Sequence, residues 1–171
     1  MHVKAATYPL EPLMLKEMSA LEAVLKRYNV TVLRPHIIPD CNQIFARDVA
    51  FVIEDKIIKS NILPDRENEF SGMSHILEQI DSTKIIELPK ECHIEGGDVI
   101  LFNDYLFAGV YKGPDYSDFI TARTNQKAVD ALKSLFPQKT LKTFDLKKSN
   151  NEPQENTLHL DCCFQPIGQD K

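Results

Sequence analysis

The tetrapeptide Glu95-Gly96-Gly97-Asp98 places an aspartate at the head of an apolar segment, and two other stretches of the chain repeat this arrangement. They are Phe45-Ala46-Arg47-Asp48 and Leu158-His159-Leu160-Asp161. In all three motifs apolar residues follow the aspartate, and a polar turn follows them. The aspartates are 50 (98 − 48) and 63 (161 − 98) residues apart. Self-similarity at such a period is typical of propeller-like architectures, in which equivalent strand ends converge on one pocket.

A complete copy of the repeat follows the first motif. Apolar runs at 44–53 and 56–60, on either side of the polar pair Glu54-Asp55, predict a β-hairpin. Residues 65–80 carry apolar side chains at helical spacing, and 84–88 has the composition of a short strand. The expected order is therefore strand, strand, helix, strand.

The same order recurs after the second motif. A hairpin is predicted over 98–110, a helix over 124–136 and a strand over 140–146. Thr124 is a suitable residue to cap the helix N-terminus, and Pro137 would end it. The fold class predicted from this pattern is α/β, built of ββαβ repeats.

The two ends of the chain resemble parts of further units. A helix over 14–28 and a strand over 30–34 look like the tail of one unit, whereas 157–167 looks like the head of another. The last segment would stop where its partner strand is due, so we expect an incomplete ring with open edges, to which a second copy could add. Atypical terminal caps are the alternative. The expected division is a tail at 1–40, complete units at about 41–90 and 91–146, a surface loop at 147–156 and a head at 157–171.

Composition narrows the function. The length of 171 residues predicts one domain with a real core. A net charge of −5 and a pI near 5.5 argue against a surface for nucleic acid or anionic membranes. No apolar run is long enough to span a membrane, and the start lacks the apolar core of a signal peptide, so we expect a cytoplasmic protein. The four cysteines form no Cys-x-x-Cys pattern, so they indicate neither a zinc site nor a disulfide framework.

The motifs carry groups suited to a planar cation. Carboxylates such as Asp48 and Asp161 pair well with a guanidinium, because its parallel N–H groups match two carboxylate oxygens. On a strand, His159 and Asp161 would point to the same face, and a histidine there can carry protons to a leaving amine and from an attacking water. Glu95 could orient that histidine and favour its charged form. The pair Gly96-Gly97 allows a close backbone approach.

Each of these residues also has a structural interpretation. The aspartates could cap strand ends, His159 could be a histidine with purely structural partners, and Gly96-Gly97 could be a β-bulge. Taken together on a repeating frame, the groups favour a binding pocket.

The order Phe-x-Arg-Asp, Glu-Gly-Gly-Asp, Ala-Arg-Thr-Asn, His-Leu-Asp resembles the guanidine-modifying superfamily, over nearly the whole chain. Its members include dimethylarginine dimethylaminohydrolase, arginine deiminase and glycine amidinotransferase. The resemblance implies a ring of five ββαβ units, called the pentein or α/β propeller. The segments 42–48 and 158–164 look like the bacterial dimethylaminohydrolase-like branch.

The resemblance also implies roles for individual residues. Asp48 and Asp161 would bind the substrate guanidinium, and His159 would be the general acid and base with Glu95 as its partner. Arg123 would hold the α-carboxylate of the substrate, or it is simply a solvated arginine at a helix start. Asp98 is expected to be structural. The family nucleophile is a cysteine on a late strand, and none of Cys41, Cys92, Cys162 and Cys163 matches it, so we interpret all four as non-catalytic.

Three functions remain open. The first is part of a hydrolase that converts arginine or a methylated arginine to citrulline and an amine. The second is part of an amidinotransferase, which passes the same covalent group to an acceptor amine. The third is a non-catalytic binding module, because the same fold also serves a ribosome-binding translation factor. In each enzymatic case the expected partner is a small guanidine compound, and neither a metal nor a cofactor is required.

Overall fold

A computed structural model describes residues 10–113 and 116–168 of the chain. The chain divides into two compact units between Pro35 and His36. The turn expected at 168–170 lies largely outside the described residues, as does the start of the chain.

The first unit consists of one helix and an extended segment. Helix α1 spans Glu11–Arg27, and a proline in its first turn favours its start because proline needs no hydrogen-bonding partner there. Glu11 in the first turn and Lys26 in the last complement the helix dipole. The strand predicted at 30–34 is wrong, since these residues form no ladder. An apolar run becomes a strand only beside another strand, and residues 10–35 contain none.

The second unit begins with a complete ββαβ repeat. Strands β1 (Ala50–Ile53) and β2 (Lys56–Lys59) pair in antiparallel fashion around a turn in which Glu54 has a φ of 56°. Strand β3 (Ile85–Glu87) then pairs parallel to β2, so the sheet order is β1-β2-β3. A short helix, α2 (Ala46–Val49), precedes β1.

The second repeat has the same topology. Strands β4 (Val99–Phe102) and β5 (Tyr105–Val110) form the hairpin, and β6 (Thr140–Asp145) pairs parallel to β5. Asn103 occupies the turn with a φ of 51°, the counterpart of Glu54 in the first repeat. The predicted α/β fold of ββαβ units is therefore confirmed.

The crossover of the first repeat departs from the prediction. Instead of one α-helix over 65–80, a 3₁₀-helix spans Pro64–Met73 and a single α-helical turn, α3, spans Ser74–Leu77. Polar side chains compete with the backbone here, since the Ser71 hydroxyl donates to the carbonyl oxygen of Asn68. This segment therefore lacks the regular α-helical hydrogen-bond pattern.

The crossover helix of the second repeat, α4, spans Gln126–Leu135. The predicted cap is wrong by one residue, because the side chain of Asn125 accepts the hydrogen bond from the Ala128 N–H. Thr124 is buried instead, and its hydroxyl accepts from the Glu95 N–H at 3.4 Å.

All three aspartates of the motifs lie in a short helical turn rather than at the head of an extended strand. Asp48 lies in α2, Asp98 in the 3₁₀ turn Gly96–Asp98 and Asp161 in the 3₁₀ turn Leu160–Cys162. Residues 157–167, expected to be the head of a further unit, therefore form no strand. The shared turn supports the internal repeat, although its conformation was not the expected one.

One apolar core joins the two repeats. It contains Ile53 and Ile58 from the first sheet, Leu106 from the second and Leu132 from α4. Side chains of α4 and of strands from both repeats belong to this one core, so neither sheet buries its apolar face alone. None of the described helices combines the length and the apolarity needed to cross a bilayer.

Truncation of Leu132 tests this shared core. Leu132→Ala should lower the free energy of unfolding by about 2–5 kcal/mol, because it leaves a cavity in the core that the two repeats share. Leu135→Ala on the same helix is the matched control; this side chain is 43% exposed, and the expected loss is about 0.5 kcal/mol. Urea unfolding measures both, and equal losses would contradict a core centred on Leu132.

Candidate active site

Three buried groups from the three motifs meet in one cluster. Asp48, Glu95 and His159 each offer one polar atom, and these atoms all lie within 4.8 Å of one another. All three side chains are buried. The short helical turns of the motifs bring them together, as the sequence analysis predicts for these three residues. We call them the central triplet.

His159 lies between the two acids of the triplet. Its Nε2 is 2.9 Å from Glu95 Oε2, and its Nδ1 is 3.9 Å from Asp48 Oδ1. Burial opposes the charged form, but the hydrogen bond to Glu95 and the charges of the neighbouring aspartates outweigh it and raise the pKa of His159. The imidazolium form is therefore stabilised towards neutral pH, the range in which a general acid works.

The two glycines of the second motif make room for this contact. A Cβ atom on Gly97 would come within 2.7 Å of His159 Cγ, and one on Gly96 within 2.0 Å of the Arg47 carbonyl oxygen. Any larger residue would displace the histidine or the backbone of the first motif. The predicted close approach is therefore the reason for Gly96-Gly97.

Glu95 is the most contacted group of the triplet and is fully buried. Arg123 Nη1 donates to its two carboxylate oxygens at 2.9 and 3.0 Å, and Arg66 Nη1 donates to Oε2 at 3.1 Å. Burial by itself would raise the pKa of Glu95; His159 and Arg123 reverse this and hold it below its ordinary value. Glu95 is thus a buried anion held by cationic groups.

Arg66 is the residue that the sequence analysis missed. Its Nη1 donates to Asp48 Oδ2 at 3.0 Å, while its Nε and Nη2 donate to Glu69 at 2.7 and 2.9 Å. The pKa of the Arg66 guanidinium is raised above its ordinary value. The hydrogen bonds to Glu69 contribute most, burial opposes them, and the hydrogen bond to Asp48 adds to the increase. Its three-residue spacing from Glu69 was the available signal, since such pairs are neighbours on a helical segment.

Asp161, the second predicted guanidinium ligand, is not part of the central triplet in the described structure. Its Oδ2 accepts from Arg47 Nε at 3.2 Å, and its side chain is 29% exposed. Arg47 Nη2 in turn donates to the Val99 carbonyl oxygen at 2.7 Å. The expectation that His159 and Asp161 share a strand face is wrong, because a 3₁₀ turn rotates successive side chains by about 120°.

Arg123 is predicted to hold a substrate carboxylate. In this structure it pairs with a carboxylate of the chain itself, that of Glu95. Besides the contacts with Glu95, its Nε donates to the Ile120 carbonyl oxygen at 2.9 Å. Its side chain is largely buried, so it is not the solvated arginine of the alternative interpretation. Whether it also contacts a substrate stays a prediction.

Asp98 anchors the third motif. Its Oδ1 accepts from the Leu160 N–H at 2.9 Å, next to His159 in the chain. Burial raises the pKa of Asp98 to about 6, against hydrogen bonds from Thr124 and Leu160. Asp98 thus fixes the backbone that carries His159.

The environments of Cys92 and Cys162 disfavour thiolate chemistry. Burial raises the pKa of both Cys92 and Cys162, which lowers the fraction of nucleophilic thiolate. The thiol of Cys163 donates to the Leu160 carbonyl oxygen at 3.4 Å. These contacts support the interpretation of these cysteines as non-catalytic.

The atoms of the central triplet are close enough to ligate a metal ion. Two guanidinium groups, those of Arg66 and Arg123, already contact its carboxylates. A dication in the same space would be repelled by both groups, so the charges around the triplet disfavour a metal ion.

Replacing Glu95 tests its control of the histidine. Glu95→Gln removes the anionic partner, so the pKa of His159 should fall. A pH titration of the imidazole by NMR measures the change, with Glu78→Gln, an exposed acid, as the control. An unchanged titration would contradict the role of Glu95 as the partner of His159.

The variant Asp98→Asn tests how the buried Asp98 makes the stability of the protein depend on pH. The folded-state pKa of about 6 lies above the ordinary value of 3.8, so the native state binds the proton more tightly. The contribution of Asp98 to stability is therefore greatest below about pH 4 and is lost as the pH rises through 6, by roughly 3 kcal/mol.

The asparagine variant should lack this dependence, so its stability relative to the wild type should improve between pH 4 and pH 7. Urea unfolding at both pH values measures it, with Asp104→Asn in an exposed turn as the control. Parallel pH profiles of wild type and Asp98→Asn would be the contrary outcome.

Comparison with known proteins places this chain in a family. A family model described as arginine deiminase matches residues 11–171. The uncharacterized protein YkgA of Bacillus subtilis (strain 168) is 29% identical over 157 residues, which are 88% of this chain and 47% of that protein.

Solved structures share the fold. Dimethylarginine dimethylaminohydrolase from Pseudomonas aeruginosa, a cysteine-to-serine mutant complexed with citrulline, has a TM-score of 0.65 and 18% identity over 82% of this chain and 53% of that chain. The product-bound N-terminal domain of ArgZ, a cyanobacterial arginine dihydrolase, has a TM-score of 0.66 and 18% identity over 89% of this chain and 50% of that one.

The chain therefore spans about half the length of these relatives. The structural likeness shows the α/β propeller fold, and the family model covers nearly all of the chain. This chain belongs to the arginine deiminase family of the guanidine-modifying, or pentein, superfamily.

Proposed function

We propose that this chain carries the cation-binding and proton-transfer groups of a guanidine hydrolase. In this proposal Asp48 and Asp161 bind the guanidinium of the substrate, and His159 with Glu95 moves the protons. The observation that carries it is the buried contact of His159 with Glu95 on one side and Asp48 on the other. A histidine with a raised pKa beside a carboxylate is suited to both proton donation and proton acceptance.

The proposed reaction has two steps. A thiolate attacks the guanidinium carbon, a C–S bond forms, and the C–N bond to the leaving amine breaks as His159 gives that amine a proton. Neutral His159 then takes a proton from water, the hydroxide attacks the same carbon, and the C–S bond breaks to return the thiolate. The proton on the new oxygen passes to solvent as the ureido carbonyl forms. The product is a ureido compound plus an amine.

The thiolate is proposed to come from outside these 171 residues. Cys92 and Cys162 have raised pKa values, and Cys163 follows His159 in the same short turn region. A group so close to the acid in the chain cannot readily approach the substrate carbon from the opposite side. Cys41 precedes the first motif and matches no nucleophile position of the superfamily.

The proposed substrate is arginine or a methylated arginine, converted to citrulline in the cytoplasm. The dimethylaminohydrolase relative was solved with citrulline, and ArgZ is an arginine dihydrolase. The largely buried Arg123 beside Glu95 could turn towards the α-carboxylate of such a substrate. An amidinotransferase would use the same groups with an amine in place of water.

Binding and turnover by the chain itself test the proposal. L-Arginine should bind weakly, Asp48→Asn should weaken binding roughly tenfold or more through the lost charged hydrogen bond, and no citrulline should form. NMR of arginine labelled with ¹³C at the guanidinium carbon follows both binding and conversion. Asp55→Asn, at an exposed turn, is the control.

Two results would contradict the proposal. Equal binding by the wild type and Asp48→Asn would remove Asp48 from the guanidinium site. Robust conversion by the 171-residue chain, abolished by Cys163→Ser, would show that Cys163 is the nucleophile after all.

A further inference from the structure

Both carboxylates assigned to the substrate already contact a guanidinium of the chain itself. Asp48 pairs with Arg66, and Asp161 pairs with Arg47. The two arginines differ in burial: the side chain of Arg66 is 17% exposed, whereas that of Arg47 is 52% exposed. The buried pair is the stronger barrier to an incoming cation, because solvent screens it less.

We propose that Arg66 occupies the guanidinium site in the absence of substrate, and that a substrate guanidinium must displace its Nη1 group. The inference rests on the function proposed above. It makes Arg66 a residue that determines the affinity and selectivity of the site, in addition to being a structural ion-pair partner.

Arg66 makes two kinds of contact. The Nη1 group blocks the guanidinium site, whereas Nε and Nη2 hold the side chain in place. Nη1 donates to Asp48 Oδ2 at 3.0 Å and to Glu95 Oε2 at 3.1 Å, in the space between the two acids. A substrate guanidinium that donates to Asp48 would need this same position.

The other two nitrogens hold Arg66 from outside the triplet. Nε and Nη2 donate to the two oxygens of Glu69 at 2.7 and 2.9 Å, and Glu69 is buried. The pair lies within the 3₁₀-helix Pro64–Met73, where residues three apart face each other. The ring of Phe45 lies 5.9 Å from the guanidinium carbon and adds a cation–π contact.

This division makes the exchange possible without unfolding the segment. Because the guanidinium is a rigid plane, Nη1 leaves only when the whole group shifts. The side chain of Glu69 can shift with it and keep the bidentate pair, and Glu95 keeps Arg123 and His159. Only Asp48 Oδ2 loses its donor. A buried carboxylate without a donor is costly, so the exchange is favourable only when the incoming group supplies an N–H in the same place.

The exchange has two consequences. The apparent affinity for any guanidine is reduced by the fraction of time that Arg66 leaves the site open. Planar donors are also favoured over compact ammonium groups, because a guanidinium can reproduce the contacts that Nη1 gives up.

Methylguanidine is the probe for this exchange, because it carries the guanidinium group and no carboxylate. NMR titration should show that Arg66→Gln binds methylguanidine at least about tenfold more tightly than the wild type, as expected if Arg66 leaves the site open a tenth of the time or less. The gain should be smaller for methylammonium. Arg27→Gln removes the same charge at an exposed position of α1 and should leave both affinities unchanged.

A measurement on the wild-type chain avoids dependence on the folding of a variant. With ¹⁵N-labelled arginine side chains, saturating methylguanidine should shift the Nη resonances of Arg66 and leave its Nε resonance close to its free position, since Glu69 keeps that contact. Unchanged Arg66 signals in a chain saturated with methylguanidine would overturn the inference.

The outcomes separate this inference from the proposed function. If Asp48→Asn weakens methylguanidine binding but Arg66→Gln fails to strengthen it, the function stands and the competition by Arg66 is wrong. If Asp48→Asn has no effect on methylguanidine binding in the wild type or in Arg66→Gln, the proposed guanidinium site is wrong and the inference falls with it. The same holds if methylguanidine binds to none of these proteins.

Discussion

The buried carboxylate of Glu95 is the group on which the site depends. It is fully excluded from solvent, and an isolated carboxylate in that position would be strongly unfavourable. His159, Arg66 and Arg123 supply its donors, and each comes from a different segment of the second unit. The anion therefore ties three segments together, and removing any one donor leaves a buried charge less well compensated.

The repeat explains how these segments reach the same place. Each motif forms one short helical turn, and the turns of the first two motifs lead directly into the first strands of the two sheets. Gly96 and Gly97 let the first and third motifs approach the second, since a Cβ at either position would collide with one of them. The shared apolar core around Leu132 then holds the two sheets against each other. Apolar packing and charge compensation thus both stabilise the arrangement in which the three motifs meet.

The predictions from sequence succeeded where the signal was local and periodic. Apolar runs and polar turn residues located both hairpins, and Glu54 and Asn103 adopt similar positive φ angles at the equivalent turns. They failed where a partner decides the structure: residues 30–34 have strand composition but no neighbouring strand. The helix predicted over 65–80 failed for a different reason, because the Ser71 hydroxyl competes there with the backbone for a carbonyl oxygen.

The sequence by itself determined the ββαβ order and the family, and it identified Asp48, Glu95 and His159, because motif spacing and residue type survive in one dimension. Only the tertiary structure decided which cations face these acids. Arg66 reaches Glu95 across 29 residues and Arg47 reaches Asp161 across 114, and no local pattern encodes such contacts. Long side chains carry a charge several ångströms from the backbone, so their partners depend on how the turns pack and not on where the residues stand in the chain.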